Sequence, residues 1–188
     1  MEKSTDLRVV KTQKAFLEAI EELIKTKKLS EITISELSAK SNVNRNTFYY
    51  HFNNIYEFLD MHKQMIVDEL NDILESSSSY DPNVLRLLCN CIRKHPRFMY
   101  ILISPNCDHD FHSDIFRVAA KITRVYIGNT KTLKDSRDSL IYGYSNAGCD
   151  SIFRSWIKSR MHETPEEICD MITELSEKGP ATLLFPRS

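Results

Sequence analysis

Glycine is scarce in this chain of 188 residues: there are four, alongside six prolines and a single tryptophan. So little glycine leaves no phosphate-cradling Gly-rich loop. The chain also lacks a Gly-x-Ser-x-Gly nucleophile turn and a His-Glu-x-x-His metal pair, so nothing asks for catalysis. Few turn formers and few alternating apolar runs argue against a sheet, and 41% hydrophobic content then points to an all-helical core. Charge bias is missing too. Twenty-five Lys/Arg face 26 Asp/Glu for a net charge of −1, and the first sixty residues carry nine of each sign. Any positive surface must therefore come from local placement, as with Lys3, Arg8, Lys11 and Lys14 around the start of the first helix. No uncharged run reaches the roughly 20 residues that a membrane-spanning helix needs. The N-terminus is charged and amphipathic rather than apolar, so no secretory leader is expected. Five cysteines, an odd number, read as reduced thiols in a cytoplasmic protein.

What is present is concentrated between Ile32 and Phe52. Thr33 followed three residues on by Glu36 is a capping box: the hydroxyl bonds the Glu36 amide while the carboxylate reaches back to the Thr33 amide. Ile34, Leu37 and Ser38 then share one face at helical spacing. Ser41-Asn42 ends this helix, and Asn tolerates the left-handed backbone that a sharp corner needs. Val43 plugs the corner and Asn44 is a good N-cap for a second helix. That helix is expected to bury Phe48 and Phe52 and to turn Arg45, Asn46, Thr47, Tyr49, Tyr50 and His51 outward. Such a helix fits the major groove of a duplex, with the side chains near its N-terminus at the base edges. Arg45 suits guanine O6 and N7, and Asn46 suits adenine N6 and N7. Tyr50 offers its ring to a thymine methyl or its hydroxyl to a base. The start of the Thr33 helix offers backbone N–H groups to a phosphate.

Thr33-Ile34, Ser41-Asn42-Val43 and above all Thr47-Phe48-Tyr49-Tyr50-His51-Phe52 resemble the DNA-binding signature of the TetR (tetracycline-repressor-like) regulators. The resemblance covers roughly the first third of the chain. Two departures stand out: Ser41-Asn42 replaces the usual Ala-Gly, and Ile55 stands where a lysine is usual. The resemblance implies an all-α protein with an N-terminal three-helix helix-turn-helix DNA-binding head, residues 1–53. The head is carried on a larger helical effector-binding and dimerisation body, residues 54–188. It implies phosphate-contacting or packing roles for Thr47, Tyr49 and His51, the alternative for Tyr49 and His51 being to brace the head against the next long helix. It also implies a repressor acting as a homodimer on a pseudo-palindromic double-stranded DNA operator, released by a small-molecule effector of unstated class. No cofactor is called for.

Apolar spacing and the proline signals predict helices at about Thr5–Lys27, Asn54–Leu74, Asn83–Lys94, Pro96–Ile103, Asp114–Ile127, Ser136–Ser159 and Pro165–Lys178. The stretch from Ser76 to Pro82 is a break. In the long penultimate helix Gly143, Ala147, Ser151, Ser155 and Ser159 recur every four residues, and such ridges of small side chains let another helix approach closely. They either pack inside one subunit or, with Ile168 and Ile172 of the last helix, form half of a two-fold four-helix interface, as the resemblance implies. The segment from Gly148 to Trp156, with Thr164-Pro165-Glu166-Glu167, is similar to the C-terminal half of one branch of that family.

Phe98, Tyr100, Phe116, Tyr126, Tyr142, Asn146 and Phe153 are candidates for a mostly apolar ligand pocket, although aromatic residues at helical spacing also serve as plain core. Cys107-Asp108-His109-Asp110-Phe111-His112 matches no standard zinc spacing and reads as a polar loop. A second function from a different class stays open. It is a TetR-like co-regulator working through protein–protein contacts without direct DNA binding, suggested by Ile55 and by the neutral head.

Overall fold

The computed structural model describes residues 7–76, 83–108, 113–126 and 136–179. These residues form nine α-helices and one 3₁₀ turn (Leu29–Glu31), with no strand among them. In chain order the helices are α1 (Leu7–Leu23), α2 (Ile34–Ser41), α3 (Arg45–Tyr49), α4 (Ile55–Ser76), α5 (Val84–Lys94), α6 (Pro96–Ile103), α7 (Ser113–Tyr126), α8 (Ser136–Lys158) and α9 (Pro165–Lys178). The all-helical expectation is met, and α6 and α9 fall on the expected boundaries. The first helix ends at Leu23 rather than Lys27, because the chain tightens there: the amides of Thr26 and Lys27 both turn back to the Leu23 carbonyl.

The chain divides into two compact units. One comprises residues 1–65 and 97–112, the other residues 66–96 and 113–188. The first unit is built on aromatic rings. Phe16 of α1 lies edge-on to Phe48 of α3 (centroids 5.1 Å) and to Phe58 of α4 (5.8 Å), and Phe52 packs on Phe58 at 5.1 Å. His62 continues the stack from Phe58 to Phe98 of α6. Phe16, Phe48, Phe58 and Phe98 are buried with Ile20, Ile24 and Leu37, and full burial of such side chains is worth about 1.5–3 kcal/mol each.

Polar contacts tie the segment after α6 to α1. The Asn106 side-chain amide donates to the Ile24 carbonyl at 2.8 Å, and the Asn106 carbonyl accepts from Leu29 N–H at 2.8 Å. Arg97 grips α1 through Glu18 and Glu21 at 2.6 and 3.0 Å, and Glu21 is buried. The Tyr56 hydroxyl donates to Asp108 at 2.5 Å, and burial together with that carboxylate pushes its pKa up to about 12.

In the second unit α5 packs on α7 and α9, and α8 packs on both α7 and α9. The turn from α8 to α9 passes through Arg160 and Met161, both with positive φ. It is pinned from two sides. The Arg93 guanidinium donates to the Met161 and Glu163 carbonyls, and the Trp156 indole N–H donates to the Glu163 carbonyl at 2.9 Å. α9 opens with a capping box: the Thr164 hydroxyl accepts from Glu167 N–H, the Glu167 carboxylate accepts from Thr164 N–H, and Pro165 takes the first turn.

Candidate nucleic-acid interface

α2 and α3 form the helix-turn-helix as the residues dictate locally. The Thr33 hydroxyl accepts from Glu36 N–H at 3.2 Å and the Glu36 carboxylate accepts from Thr33 N–H at 3.0 Å, closing both arms of the capping box. Asn42 takes the left-handed conformation at φ 55°, ψ 32°, making the corner. Asn44 then caps α3, its side-chain oxygen accepting from Asn46 N–H at 2.8 Å. α3 is only five residues long, so His51 and Phe52 lie beyond its end. Helices this short are not stable alone; Phe48, fully buried against three phenylalanines, anchors it.

With Phe48 inward, the remaining residues divide by exposure. Asn44, Arg45, Asn46, Tyr49, Tyr50 and His51 are exposed, Tyr50 at 83%. Thr47 and Phe52 are half-buried, so Phe52 is less enclosed than its apolar character suggests. The Tyr50 and His51 rings meet edge to face at 4.7 Å, and His51 also lies 6.0 Å from Phe52. Tyr49 stands edge-on to Phe48 at 6.1 Å. These ring partners lie on α3 and just after it rather than on the next long helix, and both Tyr49 and His51 keep exposed surface. Thr33 sits at the mouth of α2, where its own cap occupies the Glu36 amide.

The electrostatics are local, as the neutral composition requires. Lys11, Lys14, Lys28, Lys40 and Arg45 are exposed, whereas Lys27 is paired with Glu36. That lysine, together with the Thr33 amide and hydroxyl, holds the Glu36 carboxyl down at about 2. Lys3 lies outside the described residues. Ile55, in place of a cation, is buried at the first turn of α4, where it fills core.

In the second unit the structure brings Phe116, Asn146 and Phe153 together. With Ala119, Ala120, Thr123, Cys149 and Asp150 they line a cavity of about 80 Å³ between α7 and α8. Arg154 lies over the Phe116 ring at 4.0 Å and bonds Asp150 at 2.7 Å. The Tyr142 hydroxyl donates to the Ala120 carbonyl at 3.0 Å. Phe98 and Tyr100 belong to the first unit, where Phe98 is core. The side chain of Tyr126 lies outside the described residues, as do Phe111 and the histidines of the 107–112 loop.

Gly143, Ala147, Ser151 and Ser155 are all exposed, and Ser159 is half-buried. Ile168 and Ile172 are buried within the chain and form the floor of two grooves, of about 290 and 270 Å³, between α8 and α9.

Sequence patterning missed two sets of residues. Leu140 and Ile141 of α8, which the small-residue spacing did not single out, stand exposed at 74% and 55% beside the small residues, as do Tyr144 of α8 and Met171 of α9. The Arg93 and Arg97 clamps join residues about seventy positions apart, a pairing no local signal carries. Among the described residues no group of three or more His, Cys, Asp or Glu is placed to hold a metal, and no helix is long and apolar enough to cross a membrane.

Residues 82–178 match a TetR-type family described as "Transcriptional regulator C-terminal region". An uncharacterized HTH-type transcriptional regulator, YxbF of Bacillus subtilis (strain 168), is 39% identical over 87 residues; the match spans 46% of this chain and 22% of that protein's length. Among solved structures, the fold is similar to that of NalD, the secondary repressor of the MexAB-OprM multidrug efflux pump in Pseudomonas aeruginosa. The TM-score is 0.54 at 17% identity, over 92% of this chain and 96% of that one. It is similar also to the dihydroxyacetone kinase operon activator DhaS, with a TM-score of 0.51 at 21% identity, over 88% and 94% of the two chains. With the family match covering more than half of its residues and a helix-turn-helix in front of them, the chain belongs to the TetR family of transcriptional regulators.

Proposed function

We propose that this protein is a homodimeric repressor that reads a pseudo-palindromic double-stranded operator in the cytoplasm and is released by a small-molecule effector. In this reading residues 1–53 contact DNA, and residues 54–188 dimerise and bind the effector. The observation that carries it is α3 itself: one buried ring, Phe48, anchors a short helix whose Arg45, Asn46 and Tyr50 are exposed. Arg45 and Asn46 stand at the helix N-terminus, from which side chains would reach base edges, while Thr47, Tyr49 and His51 would take the phosphates. Asn44 and the start of α2 at Thr33 offer further backbone-directed contacts.

A single head makes few contacts, so useful affinity needs two, spaced about 34–36 Å to meet successive major grooves on one duplex face. Support for pairing comes from α8. Leu140, Tyr144, Ala147, Ser151 and Ser155 recur along one exposed face, with Met171 exposed on α9. A strip of apolar residues followed by small ones suits close approach of the same helices from a second copy. The cavity beside Phe116, Asn146 and Phe153, at about 80 Å³, is well below the roughly 300–1,000 Å³ of pockets for drug-sized ligands. An effector would therefore part α7 from α8 and favour the conformation that does not fit DNA.

The test is fluorescence anisotropy with double-stranded DNA from upstream of the protein's own gene at two salt concentrations, with sedimentation of the free protein. Affinity should fall steeply with salt as counterions are released, and Arg45→Ala should lose about 1–3 kcal/mol per half-site and relax one base position. A salt-insensitive protein without affinity for duplex DNA would leave the co-regulator reading, which the buried Ile55 and the neutral head support. A monomer at micromolar concentration would remove the dimer.

A further inference from the structure

Cys89 on α5 and Cys169 on α9 lie eighty positions apart in sequence, yet their sulfurs stand 3.6 Å from one another. Cys89 is fully buried and Cys169 half-buried, and both are free thiols. We propose that this pair is a hydroperoxide-reactive dithiol, in which Cys169 is oxidised first and Cys89 closes a disulfide joining α5 to α9.

Geometry makes the pair. Two sulfurs already in contact across a packed helix pair stand 3.6 Å apart, against a bonded separation of about 2.05 Å. The two thiols are also unequal in the way the chemistry requires. Its hydrogen bond with Cys89 lowers the Cys169 thiol below the usual range against burial and the nearby Glu166 and Asp170, with Arg86 adding the smallest push downward. The same bond and burial push Cys89 upward. Partial exposure and thiolate character select the site of attack, while a neighbouring buried thiol resolves the product. The other cysteines compete poorly: burial pushes Cys91 up to about 12 and Cys107 up to about 11, and raises Cys149 as well.

In the first step the Cys169 thiolate attacks one oxygen of the hydroperoxide. The O–O bond breaks, the departing oxygen takes a proton to leave as water or an alcohol, and Cys169 becomes a sulfenic acid. In the second, the Cys89 sulfur gives up its proton and attacks the Cys169 sulfur. The S–O bond breaks and water leaves. Two thiols and one hydroperoxide thus yield one disulfide, one alcohol or water, and one water, with two electrons passed to the peroxide.

The full chain is treated with hydrogen peroxide, quenched with N-ethylmaleimide and mapped by peptide mass. Two of the five thiols should disappear together, with a Cys89–Cys169 linked peptide formed inside single chains and lost again with dithiothreitol. In Cys89→Ser the reaction should stop at a Cys169 sulfenic acid that dimedone traps, and in Cys169→Ser Cys89 should stay reduced. The map of the unsubstituted protein tests the idea even where a variant folds poorly. If Cys91, Cys107 or Cys149 is consumed while no Cys89–Cys169 peptide forms, or if the link forms only between chains, the proposal is overturned.

Discussion

Replacing Phe48 with alanine removes the ring that holds α3 in place. The side chain is 0% exposed, with centroids 5.1 Å from Phe16, 5.7 Å from Phe52 and 6.1 Å from Phe58. Buried Phe→Ala substitutions cost about 3–5 kcal/mol through lost transfer free energy and the cavity left behind. Phe16 and Phe58 are held by α1 and α4 and cannot collapse far into the gap, which places the cost near 4 kcal/mol. That is a large fraction of the roughly 5–15 kcal/mol that stabilises a folded domain, and it falls on a five-residue helix. Tyr50, two residues on, is 83% exposed. Tyr50→Ala should change stability by no more than about 0.5 kcal/mol while removing the groove contact proposed above. Urea unfolding followed by circular dichroism measures the stabilities. Hydrogen exchange at the Tyr50 and Phe52 amides, which bond the Asn46 and Phe48 carbonyls at 2.9 Å, reports α3 directly. Phe48→Ala should lose stability, amide protection and DNA affinity together, and Tyr50→Ala only the last. A Phe48→Ala variant within about 1 kcal/mol of the parent, or a Tyr50→Ala variant equally destabilised, would refute the division between anchor and contact.

Three further substitutions probe the scaffold. Ser38 Oγ is buried on α2 without a hydrogen-bond partner among the described residues, so Ser38→Ala should stabilise by about 1 kcal/mol, seen as a higher urea midpoint at unchanged slope. Arg97→Ala leaves the buried Glu21 carboxylate without its guanidinium. Because Arg97 is 40% exposed, the loss should sit below the range for fully buried pairs, at about 2 kcal/mol, and should shrink when Glu21→Gln is added. Glu36, with its carboxyl held at about 2 against an ordinary 4.5, stabilises the fold fully above 4.5, and this contribution is lost as pH falls toward 2. Glu36→Gln should therefore flatten the acid limb of a stability–pH curve across that window; an unchanged limb would deny the capping box its part.

The helix-turn-helix was legible because its signals are local. Thr33 and Glu36 cap within one turn, Asn42 carries the corner in its own backbone, and Asn44 caps the next helix, so each acts within a few residues. Phe48 could be read as inward from periodicity alone. The length of α3 could not, since its end is decided by how the chain turns at Tyr50 and His51 toward α4. Phe98 shows the limit in the other direction: its aromatic character suited a pocket or a core equally, and it took the fold to place it beside His62 in the first unit.

Composition, caps and apolar spacing alone determined an all-helical chain, its corner and the residues exposed on α3, because these depend on backbone propensities over one or two turns. Tertiary structure alone decided which apolar residues of α8 remain uncovered, which arginines clamp distant carbonyls and acids, and that Cys89 meets Cys169. Those outcomes depend on which helix lies against which, and residues eighty positions apart carry no mark of one another until the chain has packed.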